Sequence, residues 1–156
     1  MHIVDCHDCD QEKYADAPWT LPSYAARLAT LEQAANGPGE EAAKAAYELG
    51  SGLYNLTWNG NARAAFDGAH LDRPDTTAAE AWFKRAYERS SNPELKARAA
   101  TMAAKCELAR DEEAQASKTW YPALRGLAGT AYEKEVLGEC GWYRDWKRGG
   151  ARPRKK

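Results

Sequence analysis

Long apolar runs are missing from this sequence of 156 residues. No stretch approaches the roughly 20 predominantly apolar residues that a membrane-spanning helix requires. The N-terminus also lacks a basic segment followed by an apolar run, which is the pattern of a signal peptide. We therefore expect no membrane span. We expect a cytoplasmic location if the chain is complete, and otherwise the location of a longer parent protein.

Cysteine and histidine are scarce, with four and three residues. Four cysteines are too few to build a disulfide scaffold in a chain of this length. The sequence also lacks the G-x-S-x-G motif of hydrolases, a phosphate-binding glycine loop and the H-E-x-x-H motif of metalloproteases. Because no catalytic pattern is present, we expect a protein that is not an enzyme.

Acidic residues are absent from the last ten positions. Residues 147–156, "KRGGARPRKK", contain six basic residues, and the composition of this tail predicts disorder. Because the whole chain carries a net charge of −1 and the tail +6, the remainder carries −7. An acidic body argues against a dedicated nucleic-acid binder.

Apolar residues at helical spacing dominate the rest of the chain, and no useful length alternates with the period of a strand. The pattern predicts an all-α domain over 20–146, an irregular acidic leader over 1–19 and the tail. Six helices are predicted, over 22–36, 40–58, 77–89, 93–111, 122–129 and 132–146. The inward positions are Ala79, Trp82, Phe83 and Ala86 in the third helix, Leu95, Ala99, Met102, Cys106 and Ala109 in the fourth, and Tyr132, Val136, Cys140 and Tyr143 in the sixth.

Two local features refine these helices. Thr77 followed by Glu80 is the pattern of a capping box at the start of the third helix. Gly50 and Gly52 lie inside the second helix, where glycine costs roughly 1 kcal/mol relative to alanine. Such a cost usually indicates that another backbone passes close by, so we expect a close helix contact there.

Small and aromatic residues recur at helical spacing within residues 40–110: Leu49, Gly50 and Tyr54 in one predicted helix, and Ala79, Phe83 and Ala86 in the next. On these residues the segment resembles a tetratricopeptide repeat, whose small residues let two helices approach while an aromatic side chain fills the gap. The interval between these two sets is too long for a standard unit of about 34 residues, so the array is divergent. The resemblance implies a right-handed array of antiparallel helices that acts as a scaffold for protein–protein interaction.

A second resemblance covers nearly the whole chain before the tail. The segments "CHDCD", "YELGSGLYNLTWNGNARAAF", "NPELKARAATMAAKCE" and "EVLGECGWYRDW" are similar to the C-terminal helical region of large, uncharacterised bacterial proteins of the Bacteroidota type. This resemblance implies a helical-repeat module that usually ends a longer polypeptide. It implies no activity and no catalytic residues.

The leader contains a C-x-x-C pair, Cys6 and Cys9. A structural zinc site needs four ligands, so Cys106 and Cys140, or His7, would have to complete it. The alternative is packing, because Cys106 and Cys140 lie on apolar stripes and buried free cysteine is common. The leader would then pack against the first helices through its cysteines. Both interpretations remain open at the level of sequence.

Other chemistry of the same leader is disfavoured. Acidic neighbours raise a thiol pKa, which argues against a redox pair. Haem attachment needs a histidine at position 10, where the chain has Asp10. A calcium loop through Asp8, Asp10 and Glu12 lacks the required glycine. We therefore expect no cofactor, with structural zinc as the alternative.

The sequence thus predicts a non-catalytic protein-interaction or scaffolding module that buries a partner segment in its concave face. Tyr47, Tyr54, Trp58 and Asn61 are the predicted partner-binding residues. Tyr54 and Trp58 are equally well explained as core residues. The alternative function is a helical domain stabilised by zinc through its cysteines.

Overall fold

The computed structural model describes residues 20–57, 59–60, 75–111, 114 and 116–149. Within these ranges the chain forms seven α-helices and no strand, which confirms the all-helical prediction for this part of the chain. The helices are α1 Leu21–Ala35, α2 Gly39–Asn55, α3 Thr77–Arg89, α4 Pro93–Arg110, α5 Trp120–Arg125, α6 Ala131–Glu139 and α7 Gly141–Lys147. None of these helices has both the length and the apolar content needed to cross a bilayer.

Side-chain caps define several helix starts. Thr20 and Ser23 form a reciprocal capping box at α1, with each side chain accepting the other residue's backbone N–H. The Asn92 side chain accepts from the backbone N–H of Glu94 at the start of α4 (2.9 Å). These caps satisfy N–H groups that have no partner inside their own helix.

The prediction of a capping box at Thr77 is wrong. α3 begins at Thr77, and the carboxylate of Asp75 accepts from its backbone N–H (2.8 Å). Glu80 is turned away from the helix start and binds Arg110 and Trp120 instead. A partly buried tertiary ion pair therefore takes the glutamate that the local motif would have used.

The single sixth helix that the sequence predicts is interrupted at Cys140. This residue has φ −87° and ψ 97°, so the backbone leaves the helical region between α6 and α7. Nη1 of Arg144 donates to the backbone carbonyl of Gly138 (2.9 Å) and caps the end of α6. Gly138 and Gly141 flank the break, and glycine has low helix propensity.

The two long helices α2 and α4 are buried on several sides. α2 packs against α1, α3 and α4, whereas α4 packs against α3, α5 and α6. The single stripe predicted for α4 is therefore incomplete, because Ala97, Thr101 and Ala104 are buried as well. A helix enclosed by several neighbours needs small side chains around most of its circumference.

The predicted close contact at Gly50 lies between α2 and α3. The ring of Phe83 and the backbone carbonyl of Ala79 pack directly on Gly50. A Cβ atom there would lie only 2.8 Å from a ring carbon of Phe83 and 3.2 Å from the Ala79 carbonyl oxygen. Ala79, Phe83 and Ala86 are all buried. The small and aromatic residues of the repeat-like spacing thus meet in one helix–helix contact.

Candidate functional site

The four predicted metal ligands divide between described and undescribed parts of the chain. Cys106 is buried on α4, and burial raises the pKa of its thiol above the ordinary value. Cys140 is half-buried at the α6–α7 break. Cys6 and Cys9, like the possible ligand His7, lie outside the described residues.

Within the described ranges, no group of three His, Cys, Asp or Glu residues is placed to hold a metal ion. Cys106 and Cys140 each occupy a packed position in a different part of the fold. The zinc hypothesis needs the leader as well, so it stays a prediction. One zinc per purified chain, lost in the Cys6→Ser/Cys9→Ser variant, is the result that it predicts.

The predicted partner-binding residues are also divided. Tyr47 and Tyr54 belong to the core, with 9% and 7% of their surface exposed. The Tyr47 ring lies 5.7 Å from that of Phe83, measured between centroids. Burial raises the pKa of Tyr54 above its ordinary value. Trp58 and Asn61 lie outside the described residues, so a partner-contacting surface has to be sought among other side chains.

Glu40 connects the start of α2 to the loop before α4. It is the second residue of α2, and its carboxylate accepts from Ser90 Oγ (2.5 Å), the Ser91 backbone N–H (2.8 Å) and Ser91 Oγ (3.0 Å). These hydrogen bonds, with that from Ser90 the largest contribution, lower the pKa of the Glu40 carboxyl. The loop between α3 and α4 is therefore held by a carboxylate from a helix about fifty residues earlier.

Glu94 repeats this arrangement one helix pair later. It is the second residue of α4, and its carboxylate accepts from the backbone N–H groups of Tyr132 (3.0 Å) and Ala131 (2.8 Å) at the start of α6. Hydrogen bonds from these two N–H groups lower the pKa of the Glu94 carboxyl. A helix N-terminus favours a negative charge, because its first N–H groups are unpaired within the helix.

Two further carboxylates hold α5 and the loop before it. Glu107 accepts from Ser117 Oγ (2.6 Å) and from the backbone N–H of Lys118 (3.0 Å), immediately before the helix. Glu80 on α3 accepts from the indole Nε1–H of Trp120 (2.7 Å) and pairs with Arg110. Each of these contacts fixes one helix relative to another, so Glu80 and Glu107 have structural roles and do not simply cover a solvated helix face.

The C-terminal helices enclose a buried ionic group. Glu133 on α6 is only 1% exposed, and its carboxylate accepts from the Tyr143 hydroxyl (3.0 Å) and from Lys147 Nζ (2.5 Å). Burial and the hydrogen bond to Glu133 raise the pKa of Tyr143. Tyr143 also stacks on Trp146 and meets Tyr121 edge-on. This network attaches α7 to the body.

One side of α3 carries an aromatic side chain and two cations near the surface. We name this surface the Trp82 strip; it consists of Ala78, Trp82, Arg85 and Arg89, which helical spacing places on one face. Trp82 and Arg85 are half-buried, and the guanidinium carbon of Arg85 lies 5.0 Å from the centroid of the Trp82 ring. Arg89 donates to the backbone carbonyls of Ala35 (3.0 Å) and Gly37 (3.2 Å).

Sequence reasoning placed Trp82 among the inward residues and missed this strip. The available signal was the arginine three positions after the tryptophan, because residues at this spacing are neighbours on a helix. Arg85 has no carboxylate partner among the described residues, and its Nε atom is buried without a hydrogen-bond acceptor there. Tryptophan and arginine are the residue types most often found at binding hot spots.

Comparison of the chain with protein-family models, with curated proteins and with solved structures returned no match. The described residues offer hydrogen-bonded junctions between helices and one cation–aromatic surface.

Proposed function

We propose that this chain is a non-catalytic helical-repeat module that binds a protein partner, with its antiparallel helices in a divergent, tetratricopeptide-like right-handed array. The observation that carries the proposal is the repeated carboxylate junction. The second residue of α2, Glu40, binds the loop before α4, and the second residue of α4, Glu94, binds the start of α6.

A carboxylate junction that recurs from one helix pair to the next is the pattern expected of stacked helical units. In such arrays each unit contacts only its neighbours, and the row of units presents an extended surface to a partner. α2 packs on α4 and α4 packs on α6, in the same order as the two carboxylate junctions. The Gly50–Phe83 contact adds the close helix approach on which the repeat resemblance depends.

The partner contact proposed here lies on the Trp82 strip. Tyr47 and Tyr54 support the core and leave little surface for a ligand. Trp82, in contrast, combines partial exposure with an adjacent arginine. An amphipathic ring beside a planar cation is well suited to contact a peptide, because it supplies apolar area and hydrogen-bond donors together.

Selection from a library of displayed peptides tests the proposal. The full chain is immobilised, and selected peptides are measured in solution by calorimetry. We expect saturable binding with one peptide per chain, and competition among selected peptides for one surface. The Trp82→Ala variant, checked for folding by circular dichroism, is expected to bind at least tenfold more weakly, in line with the cost of removing an aromatic anchor. A library that yields no specific binder would overturn the proposal.

A control substitution lies outside the strip, on α2. Glu41 is an exposed residue in the first turn of α2, and its carboxylate pairs with the neighbouring Lys44. The Glu41→Ala variant should bind the selected peptides as the wild type does. Equal losses in Glu41→Ala and Trp82→Ala would indicate a general effect on the fold and count against a contact at the Trp82 strip.

A further inference from the structure

Arg85 is held in place but has no ionic partner among the described residues. Its guanidinium carbon lies 5.0 Å from the centroid of the Trp82 ring, and its Nε atom is buried there, so the terminal Nη1 and Nη2 groups are the donors left for a further contact. Stacking on an aromatic face fixes the plane of the guanidinium and leaves its edges as donors.

The acidic residues of α3 do not supply a carboxylate to Arg85. Glu80 binds Arg110 and Trp120 on another side of the helix. Glu88 lies 3.9 Å from Lys84, measured between Oε1 and Nζ. The strip itself contains two arginines and no acid, although the chain outside the C-terminal tail is acidic.

A carboxylate is the acceptor that matches this arrangement. Arginine has five N–H donors in a planar fork, and a carboxylate pairs with two of them at once. A polyanion such as nucleic acid would gain from the strip but would be repelled by the acidic body. One acidic side chain flanked by apolar residues avoids this repulsion, and its apolar neighbours would cover the exposed part of Trp82.

We infer that the Trp82 strip binds an aspartate or glutamate side chain of the protein partner, with Arg85 pairing with its carboxylate. This inference rests on the proposed function and adds the chemistry of the contact. Arg85 sets the preference for an acidic residue, and Trp82 contributes affinity through the apolar neighbours of that residue.

The test uses the selected peptides, synthesised with amidated C-termini so that side chains provide their only carboxylates. Each acidic residue is replaced in turn by its amide, and binding is measured to the wild type and to Arg85→Met. One replacement is expected to weaken binding by about tenfold or more, as for loss of a charge-assisted pair. Arg85→Met should lower the affinity for the acidic peptide by a similar factor and leave the affinity for the amide peptide nearly unchanged. This is the signature of a direct pair in a double-mutant cycle.

Two further variants guard against a folding artefact. Lys84→Met removes a neighbouring charge from α3 outside the strip and should leave the affinity for the acidic peptide unchanged. Arg85→Lys keeps the charge without the planar fork and should give an intermediate affinity. Thermal unfolding of each variant checks that the helices are intact.

The outcomes separate the inference from the proposed function. Peptides that bind the wild type and Arg85→Met equally, or that need no acidic residue, overturn the carboxylate contact and leave the protein-binding function standing. A selection that yields no binder overturns both. Acid-dependent binding that is lost equally in Lys84→Met would reduce the contact to general attraction by positive charge and overturn the pairing with Arg85.

Discussion

Between α2 and α3 the helices approach through alanine and glycine, whereas α5, α6 and α7 meet through large aromatic side chains and a buried ion pair. Phe83 fills the gap over Gly50 in the first region. In the second, the rings of Tyr121, Tyr143 and Trp146 pack on one another, and the Tyr143 hydroxyl donates to Glu133, which pairs with Lys147. The C-terminal helices have only six to nine residues each. Short helices gain little from their own hydrogen bonds, so they depend on bulky contacts and tertiary polar bonds.

The largest effect is expected from Phe83→Ala. This side chain is completely buried, and its removal leaves a cavity lined by Gly50 and the surrounding alanines. We expect the free energy of unfolding, measured by urea denaturation, to fall by about 4 kcal/mol. A loss below about 1 kcal/mol would show that the contact between α2 and α3 does not depend on this ring.

The buried carboxylate should matter most for the C-terminal region. Glu133→Ala leaves the Tyr143 hydroxyl and Lys147 without their acceptor. We expect a loss of about 2 kcal/mol, less than for a fully buried pair because Lys147 retains contact with water. Amide hydrogen exchange should accelerate in α7 and remain slow in α2. Glu135→Ala, at an exposed position of α6, is the control and should change neither the free energy of unfolding nor the exchange rate in α7. An equal effect of this substitution would contradict a specific role for the buried Glu133 carboxylate.

Two glycine substitutions compare the regions directly. Gly50→Ala places a Cβ against the Phe83 ring and the Ala79 carbonyl, so we expect a loss of about 1–2 kcal/mol from overpacking. Gly138→Ala on α6 meets no atom within 4 Å and should instead stabilise the protein by about 0.5 kcal/mol through helix propensity. Thermal and urea unfolding measure both. Effects of the same sign would contradict the difference in packing density between these two sites.

Acid should weaken the junctions between helix pairs. The folded-state pKa values of Glu40 and Glu94 lie below the ordinary value of 4.5. Their contribution to stability is therefore complete above that pH and is lost as the pH falls through the folded-state pKa values. The urea midpoint of the wild type should fall as the pH is lowered from about 5 to about 3. Glu40→Gln/Glu94→Gln should start lower and fall less, and identical pH dependence in the two proteins would contradict this account.

Much of the helical framework was predictable from particular residues. Helical spacing of apolar side chains and the Asn92–Pro93 start gave the bounds of α3 and α4 to within one residue. The glycine at position 50 predicted the close contact with another helix. The break at Cys140 was missed because Tyr132, Val136 and Tyr143 keep helical spacing across it, and periodicity does not register the change in backbone angle.

The candidate sites were less predictable. Tyr47 and Tyr54 were predicted to contact a partner, but an aromatic residue on a helix is equally suited to core and surface. Trp82 was predicted to lie inward and does pack against the core, but it is only half-buried and lies beside Arg85, which periodicity did not indicate. Neither Glu40 nor Glu94 stood out, because their partners are 37 or more residues away along the chain.

The helical class, most helix positions and the small-residue contact at Gly50 follow from the sequence, because they depend on local propensity and on spacing within one helix. The packing of the helices is what encloses α2 and α4 on several sides, buries Glu133 against Lys147, and sets Arg85 beside Trp82 with no carboxylate partner in the described part of the chain. Burial and charge pairing are properties of several elements together. They arise only when helices distant in the chain pack, and the functional proposal for the Trp82 strip depends on that packing.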